Sequence, residues 1–219
     1  MLTRVSAPAR PRRTQVERRQ ESERALLVAA AEIIAERGIT GASLASISER
    51  AGTSRGLPTH HFGTKDALVS QVARGAQDRI VAETVAALER AHRDADDLSA
   101  FELVRATVDT YLEMFEHPTA DERALIVMWG SSFPSESSLE GMAEADQRAY
   151  DGWAVLIARG QAEGSIRSDV DPQVAGIVLQ GLLRGIAAIL LTTPDRTYAL
   201  RARQTVDTWL AAAIAPPVG

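Results

Sequence analysis

Twenty residues around Gly52, from Ser43 to Phe62, concentrate groups suited to holding an anion and reading a polar edge. Ser43 and Ser54 each precede a short apolar-periodic run, where a hydroxyl caps a helix N-terminus. Free amides and the helix dipole favour a phosphate at such a terminus. In the second run Arg55, Thr59 and His60 fall on an outward face as donors or small contacts, while Leu57 or Phe62 anchors inward. Lys65, the only lysine in the chain, follows Thr64 and is placed to clamp a backbone phosphate from the flank. Two stubby helices about a glycine turn, the second short enough to enter a major groove end-on, form the helix-turn-helix unit that recognises double-stranded DNA.

Other chemistries fit less well. His60 and His61 invite a metal reading, but adjacent helical residues point about 100° apart and no carboxylate stands one turn on, so no metal site is expected. The chain has no Cys, which removes zinc-thiolate sites, disulfides and a cysteine nucleophile. No HExxH, nucleophile elbow or glycine-rich phosphate loop occurs, and His92 and His117 lie outside any triad spacing, so neither an enzyme nor a cofactor is expected. A helical ligand-binding module without a DNA role stays open as the alternative, and steep loss of DNA affinity with salt would separate the two.

The elements that must carry these residues are helical throughout. Residues 1–65 hold eleven Arg or Lys against six Asp or Glu, and the rest holds thirteen against twenty-three, a basic head on an acidic body. Residues 1–20, with Pro8, Pro11 and six arginines, read as a basic flexible tail that is either solvated or reaches a minor groove. A helix follows over 22–37, stopped by Gly38, then the two short helices and a long one capped by Thr64 that runs to about residue 92. Further helices are expected over 100–116, 121–131, 139–163, 172–193 and 196–214, about nine in an all-α fold. Residues 174–193 are apolar enough to span a bilayer, but Gln180 and Arg184 near the middle favour a buried or interfacial helix. With no apolar signal core at the N-terminus, a cytoplasmic protein without membrane contact is expected.

The run Gly38-Ile39-Thr40-Gly41-Ala42-Ser43-Leu44-Ala45-Ser46-Ile47-Ser48-Glu49-Arg50-Ala51-Gly52-Thr53-Ser54-Arg55-Gly56, followed by His60-His61-Phe62-Gly63-Thr64-Lys65-Asp66-Ala67-Leu68, resembles the DNA-binding head of the tetracycline-repressor (TetR) family. The resemblance implies that Arg55, Gly56, Leu57, Thr59, His60 and His61 lie on or beside the recognition helix, and that Ser43 and Lys65 contact phosphates. It also implies a homodimer, most often a repressor, whose C-terminal domain binds a small-molecule effector and whose last two helices pair with their copies. Two departures stand out: Thr59 replaces the family's usual tyrosine, and Pro58 lies in the recognition helix, tolerable only in its first turn. Ser48, where alanine is usual, keeps the position small.

This reading divides the chain into the tail, a DNA-binding domain over 21–68 and a ligand-binding and dimerisation domain over 69–219. Tyr111, Phe115, Trp129, Phe133 and Trp153 gather around a Ser/Pro-rich loop and are expected to line the effector pocket, with core packing as the competing role. Val174, Ile177, Val178, Leu182, Ile186, Ile189, Leu190, Val206 and Leu210 form a stripe that a monomer would expose and a homodimer would hide. Arg184 is expected to pair with a carboxylate across that interface or with a helix C-terminus, or else to meet an acidic ligand.

Overall fold

The first helix begins about three turns before its apolar stripe, which starts at Leu26. In a computed structural model that describes residues 14–91, 98–131, 140–192 and 197–216, α1 (Gln15–Gly41) opens on a reciprocal cap. The Thr14 hydroxyl accepts from the Glu17 amide at 3.2 Å, and the Glu17 carboxylate accepts from the Thr14 amide at 2.8 Å. Residues 15–20, read from sequence as tail, are therefore helix; Gln, Glu and Arg are good helix formers and need only the cap. Residues 1–13 lie outside the described residues. Helical geometry is interrupted at Gly38, where the sequence expects the helix to stop.

Two short helices follow, α2 (Leu44–Arg50) and α3 (Leu57–Phe62), then α4 (Lys65–Ala91), whose first turn is capped by the Thr64 hydroxyl at 3.1 Å from the Ala67 amide. Leu26, Ile33 and Ile34 of α1, Ile47 of α2, Phe62 of α3 and Leu68 of α4 are buried together, so the head is one small core from four helices. The body adds α5 (Ala100–Met114), α6 (Ala120–Ser131), α7 (Glu140–Glu163), α8 (Pro172–Thr192) and α9 (Thr197–Ile214). All regular structure among the described residues is helical.

Head and body share two bridges. α4 continues from the head into the body, where Arg79 pairs with Asp121 of α6 at 2.5 Å, and Arg74 and Asp78 pair with Glu144 and Arg148 of α7. The second bridge is the packing of α1 on α6, the most extensive helix–helix contact in the molecule.

Within the body α7 and α8 form a tight antiparallel pair. Gly176 makes this approach possible: a Cβ there would sit 2.7 Å from the Tyr150 carbonyl oxygen. The Asp171 carboxylate caps α8 by accepting from the amides of Gln173 and Val174, with Pro172 in the first turn. α9 is clamped to α5 by Arg203, which bonds Asp109 and Glu116 at 2.7 Å, and by an Arg105–Asp207 pair. These pairs hold Arg203 firmly in its charged form.

Candidate nucleic-acid interface and interior polar site

The geometry of the head follows from three local devices. Ser43 caps α2 in a reciprocal box with Ser46, both bonds at 3.0 Å. Gly52, with φ at 65°, turns the chain through a conformation that side chains disfavour. Arg50 then ties the end of α2 to α1 through a bidentate pair with Glu36 (2.9 and 3.0 Å) and a bond to Glu32 at 3.3 Å. The guanidinium holds the Glu36 carboxyl below its ordinary range. The helix beneath the recognition element is fixed by contacts that leave the next helix's outer face unused.

That outer face carries Arg55, Gly56, Thr59 and His60, all exposed, with Ser43, Ser54 and the half-buried Lys65 alongside. Among the described residues neither Arg55 nor Lys65 forms an ion pair, in contrast to Arg50. Pro58 is buried in the first turn, so its missing N–H costs no helical bond.

One sequence expectation changes, and the roles of two further residues divide between the outer face and the core. Ser54 does not cap α3; its carbonyl accepts from the Leu57 amide in a turn, and Gly56 holds the N-cap position without a side-chain bond. His61 points inward, its side chain buried with Nδ1 3.9 Å from a Glu23 carboxylate of α1, so His60 alone of the pair faces out. Leu57 packs partly against the core, as an anchor.

In the body, Tyr111, Phe115 and Trp153 are buried, and the Tyr111 and Phe115 rings lie 5.0 Å apart. They pack as core; Trp129 is half-buried, and Phe133 lies outside the described residues. Polar groups that the sequence reading did not assemble sit among them. Trp153 donates its indole N–H to the Gln180 side-chain oxygen at 3.1 Å, both residues buried. Arg184 pairs with Asp146 of α7 in the same chain, not across a subunit interface, and its guanidinium lies 4.0 Å above the Trp129 ring and 6.0 Å from that of Tyr150. The spacing held part of this signal: Gln180 and Arg184 are one turn apart in an otherwise apolar helix, and Asp146 and Tyr150 one turn apart on α7.

Exposure divides the stripe expected at a dimer interface. Val174, Ile177, Val178 and Ile189 of α8 are exposed, and Leu182, Ile186 and Leu190 are half-buried. Val206 and Leu210 are buried within the protomer, because α9 turns that face toward the body, so they are not what a monomer exposes. Tyr198 and Trp209, overlooked in the stripe, are the exposed large side chains of α9 and border a groove of about 630 Å³ against α8. By length and composition alone α8 is also long and apolar enough to cross a membrane.

A helix-turn-helix head with unpaired cations flanking its second short helix, mounted on a helical body, defines a DNA-binding regulator. Comparison with known proteins agrees. The tetR-family profile of bacterial regulatory proteins matches residues 26–72, and the profile for the C-terminal part of BetI-type transcriptional repressors matches residues 100–215, more than half of the chain. The chain belongs to the tetR family and is a DNA-binding transcriptional regulator. It is 28% identical over 158 residues to the HTH-type transcriptional repressor KstR2 of Rhodococcus jostii, covering 68% of this chain and 70% of that one. It is 28% identical to the HTH-type transcriptional regulator BetI of Stenotrophomonas maltophilia, covering 73% of this chain and 81% of that one. A solved transcriptional regulator from Saccharomonospora viridis, in complex with choline, superposes with a TM-score of 0.73 at 22% identity, over 90% of this chain and all of that one.

Proposed function

We propose that the chain is a cytoplasmic homodimeric repressor that holds a near-palindromic operator and lets go when a small molecule enters its body, with no catalytic role. The observation that carries this is the open surface of α3 and the turn before it, where Thr59, His60 and Arg55 stand exposed with Lys65 beside them. In this reading Arg55, Thr59 and His60 meet base edges with the Gly56 backbone close by, and Ser43, Ser54 and Lys65 meet phosphates. His61 and Leu57 support the helix from behind.

Residues 21–68 form the DNA-binding domain and 69–219 the effector and dimer domain. The α8 residues Val174, Ile177, Val178, Leu182, Ile186, Ile189 and Leu190 cover their copies, joined by Tyr198 and Trp209 of α9. The two-fold then sets paired recognition helices about 34–36 Å apart or a multiple of it. Effector enters among Tyr111, Phe115, Trp129 and Trp153. Its arrival is transmitted where α6 packs on α1 and where Arg79 of α4 grips Asp121, with a coupling on the order of 1–3 kcal/mol.

Selection of bound duplexes from a random pool tests the head directly. A two-fold-symmetric consensus is expected. Arg55→Ala should then relax preference at particular base pairs, at a cost of about 1–3 kcal/mol, and Lys65→Ala should weaken all sequences alike and flatten the salt slope by about one. Recovery of no consensus, or equal losses across every base pair for Arg55→Ala, would remove the base-reading role.

A further inference from the structure

Three buried polar atoms in the body have no hydrogen-bond partner among the described residues: Tyr111 Oη on α5, Arg184 Nε on α8 and Gln77 Oε1 on α4. Native interiors rarely leave such groups unmet, since each costs its full desolvation. They lie at one level of the bundle. The pairs Arg74–Glu144 and Asp78–Arg148 set Gln77 of α4 at the same height in the bundle as Asp146 of α7, and Asp146 in turn holds Arg184. Tyr111 is close enough to Arg184, Asp146 and Glu122 for all three charges to act on its phenol. The unmet atoms stand on three different helices, so no local cap or turn accounts for them.

Their chemistry is selective. Arg184 is a donor only, and Asp146 takes one Nη2–H while the Nε–H stays buried and open. Tyr111 offers a second O–H. The ring face of Trp129, where a quaternary ammonium would sit, is already covered by the Arg184 guanidinium at 4.0 Å. The two nearby carboxylates are engaged: Asp146 with Arg184, and Glu122 with the Thr119 amide. Burial pushes the Glu122 carboxyl toward its neutral form, so neither supplies a free counter-charge for a cationic guest.

We infer that the effector is a small organic acid with an apolar body, its carboxylate received by Arg184 Nε–H and Tyr111 O–H, with Gln77 accepting from a ligand hydroxyl or amide where one is present. This deepens the effector reading above and rests on it. A cationic guest is disfavoured at this site, because a guanidinium of the protein itself already lies over the Trp129 ring.

The test compares matched probes on the purified full chain: phenylacetate against phenylacetamide, hexanoate against hexanamide, and choline chloride. Thermal denaturation and operator release are read together. At least one acid should raise the melting temperature and release operator where its amide and choline do not. Arg184→Met should abolish that shift, and Tyr111→Phe should weaken the acid by about tenfold or more, the scale of a charge-assisted bond. Because the Tyr111 hydroxyl has no partner to lose, Tyr111→Phe should leave the ligand-free melting temperature unchanged or higher. A lower ligand-free melting temperature for Tyr111→Phe overturns the inference, since it means that the hydroxyl is held by the protein. So does stabilisation by an amide or choline equal to that by the acid, or no response to either acid. If amide or choline alone releases operator, the chemical class is wrong and the ligand-responsive repressor stands. If acids stabilise the protein but no duplex is ever bound, the acid site stands and the DNA reading falls.

Discussion

Replacing Gly176 by alanine should loosen the seam between α7 and α8. The new methyl would lie 2.7 Å from the Tyr150 carbonyl oxygen and 3.2 Å from the Trp153 Cβ, whereas ordinary contact begins near 3.4 Å. The first obstacle is backbone, so it cannot swing aside, and α8 must retreat by roughly 0.7 Å at that point. Overpacking of this size costs about 1–3 kcal/mol, offset by up to about 1 kcal/mol of better helix propensity. The net loss is about 1 kcal/mol, or about 2–4 °C in melting temperature for a chain of this length. Gly152→Ala on α7 is the control, because nothing lies within 4 Å of its added methyl, and it should gain from propensity alone. Thermal denaturation monitored by circular dichroism reads both. Gly176→Ala as stable as Gly152→Ala would show that the two helices do not depend on that close approach, and the reasoning would be wrong. Gln180 and Arg184 lie one and two turns further along the same helix, so the retreat should also weaken effector response.

Ile177→Glu should split the dimer, since each of two copies loses about 1.5–3 kcal/mol of apolar burial and gains an unmatched charge; sedimentation showing an unchanged dimer at micromolar concentration would dismiss the α8 interface. Glu122→Gln should flatten the stability–pH curve. Burial raises the Glu122 carboxyl above its ordinary value of 4.5, so the folded chain binds the proton more tightly, and this contribution is present in acid and lost as pH rises through the raised value. Relative to wild type, the variant should therefore gain stability from pH 5 to 7; a gain running the other way refutes the sign. Arg203→Met should cost about 1–2 kcal/mol by leaving Asp109, Glu113 and Glu116 facing one another, and added salt should shrink the loss; a loss that grows with salt excludes a charge origin.

How far the sequence carries the argument varies along the chain. The head is readable because its signals are local: Ser43 caps within three residues, Gly52 turns the chain, and Ile47 and Phe62 fall on inward offsets. Where local signals compete, reading fails. Ser54 looks like a cap, but the backbone makes one more turn before α3 begins at Leu57. The start of α1 is hidden because residues 15–20 carry no apolar stripe, and only Thr14 with Glu17 marks it. In the body the decisive contacts join residues far apart, Arg184 with Asp146 and Trp153 with Gln180, and no spacing rule supplies such partners. Val206 and Leu210 show the same limit: α9 is apolar on two sides, and only the packing of α5 decides which one is already occupied.

Lys65 is the chain's single lysine, and it opens α4 at the edge of the surface proposed to face DNA. Amine-directed chemistry therefore has one side chain to act on, at the place where occupancy by a duplex changes access. A reagent that acylates lysine should tag the free protein once at that position and leave an operator-bound one untouched there. The same arrangement makes the charge at that edge removable in one event, without touching any residue of the body.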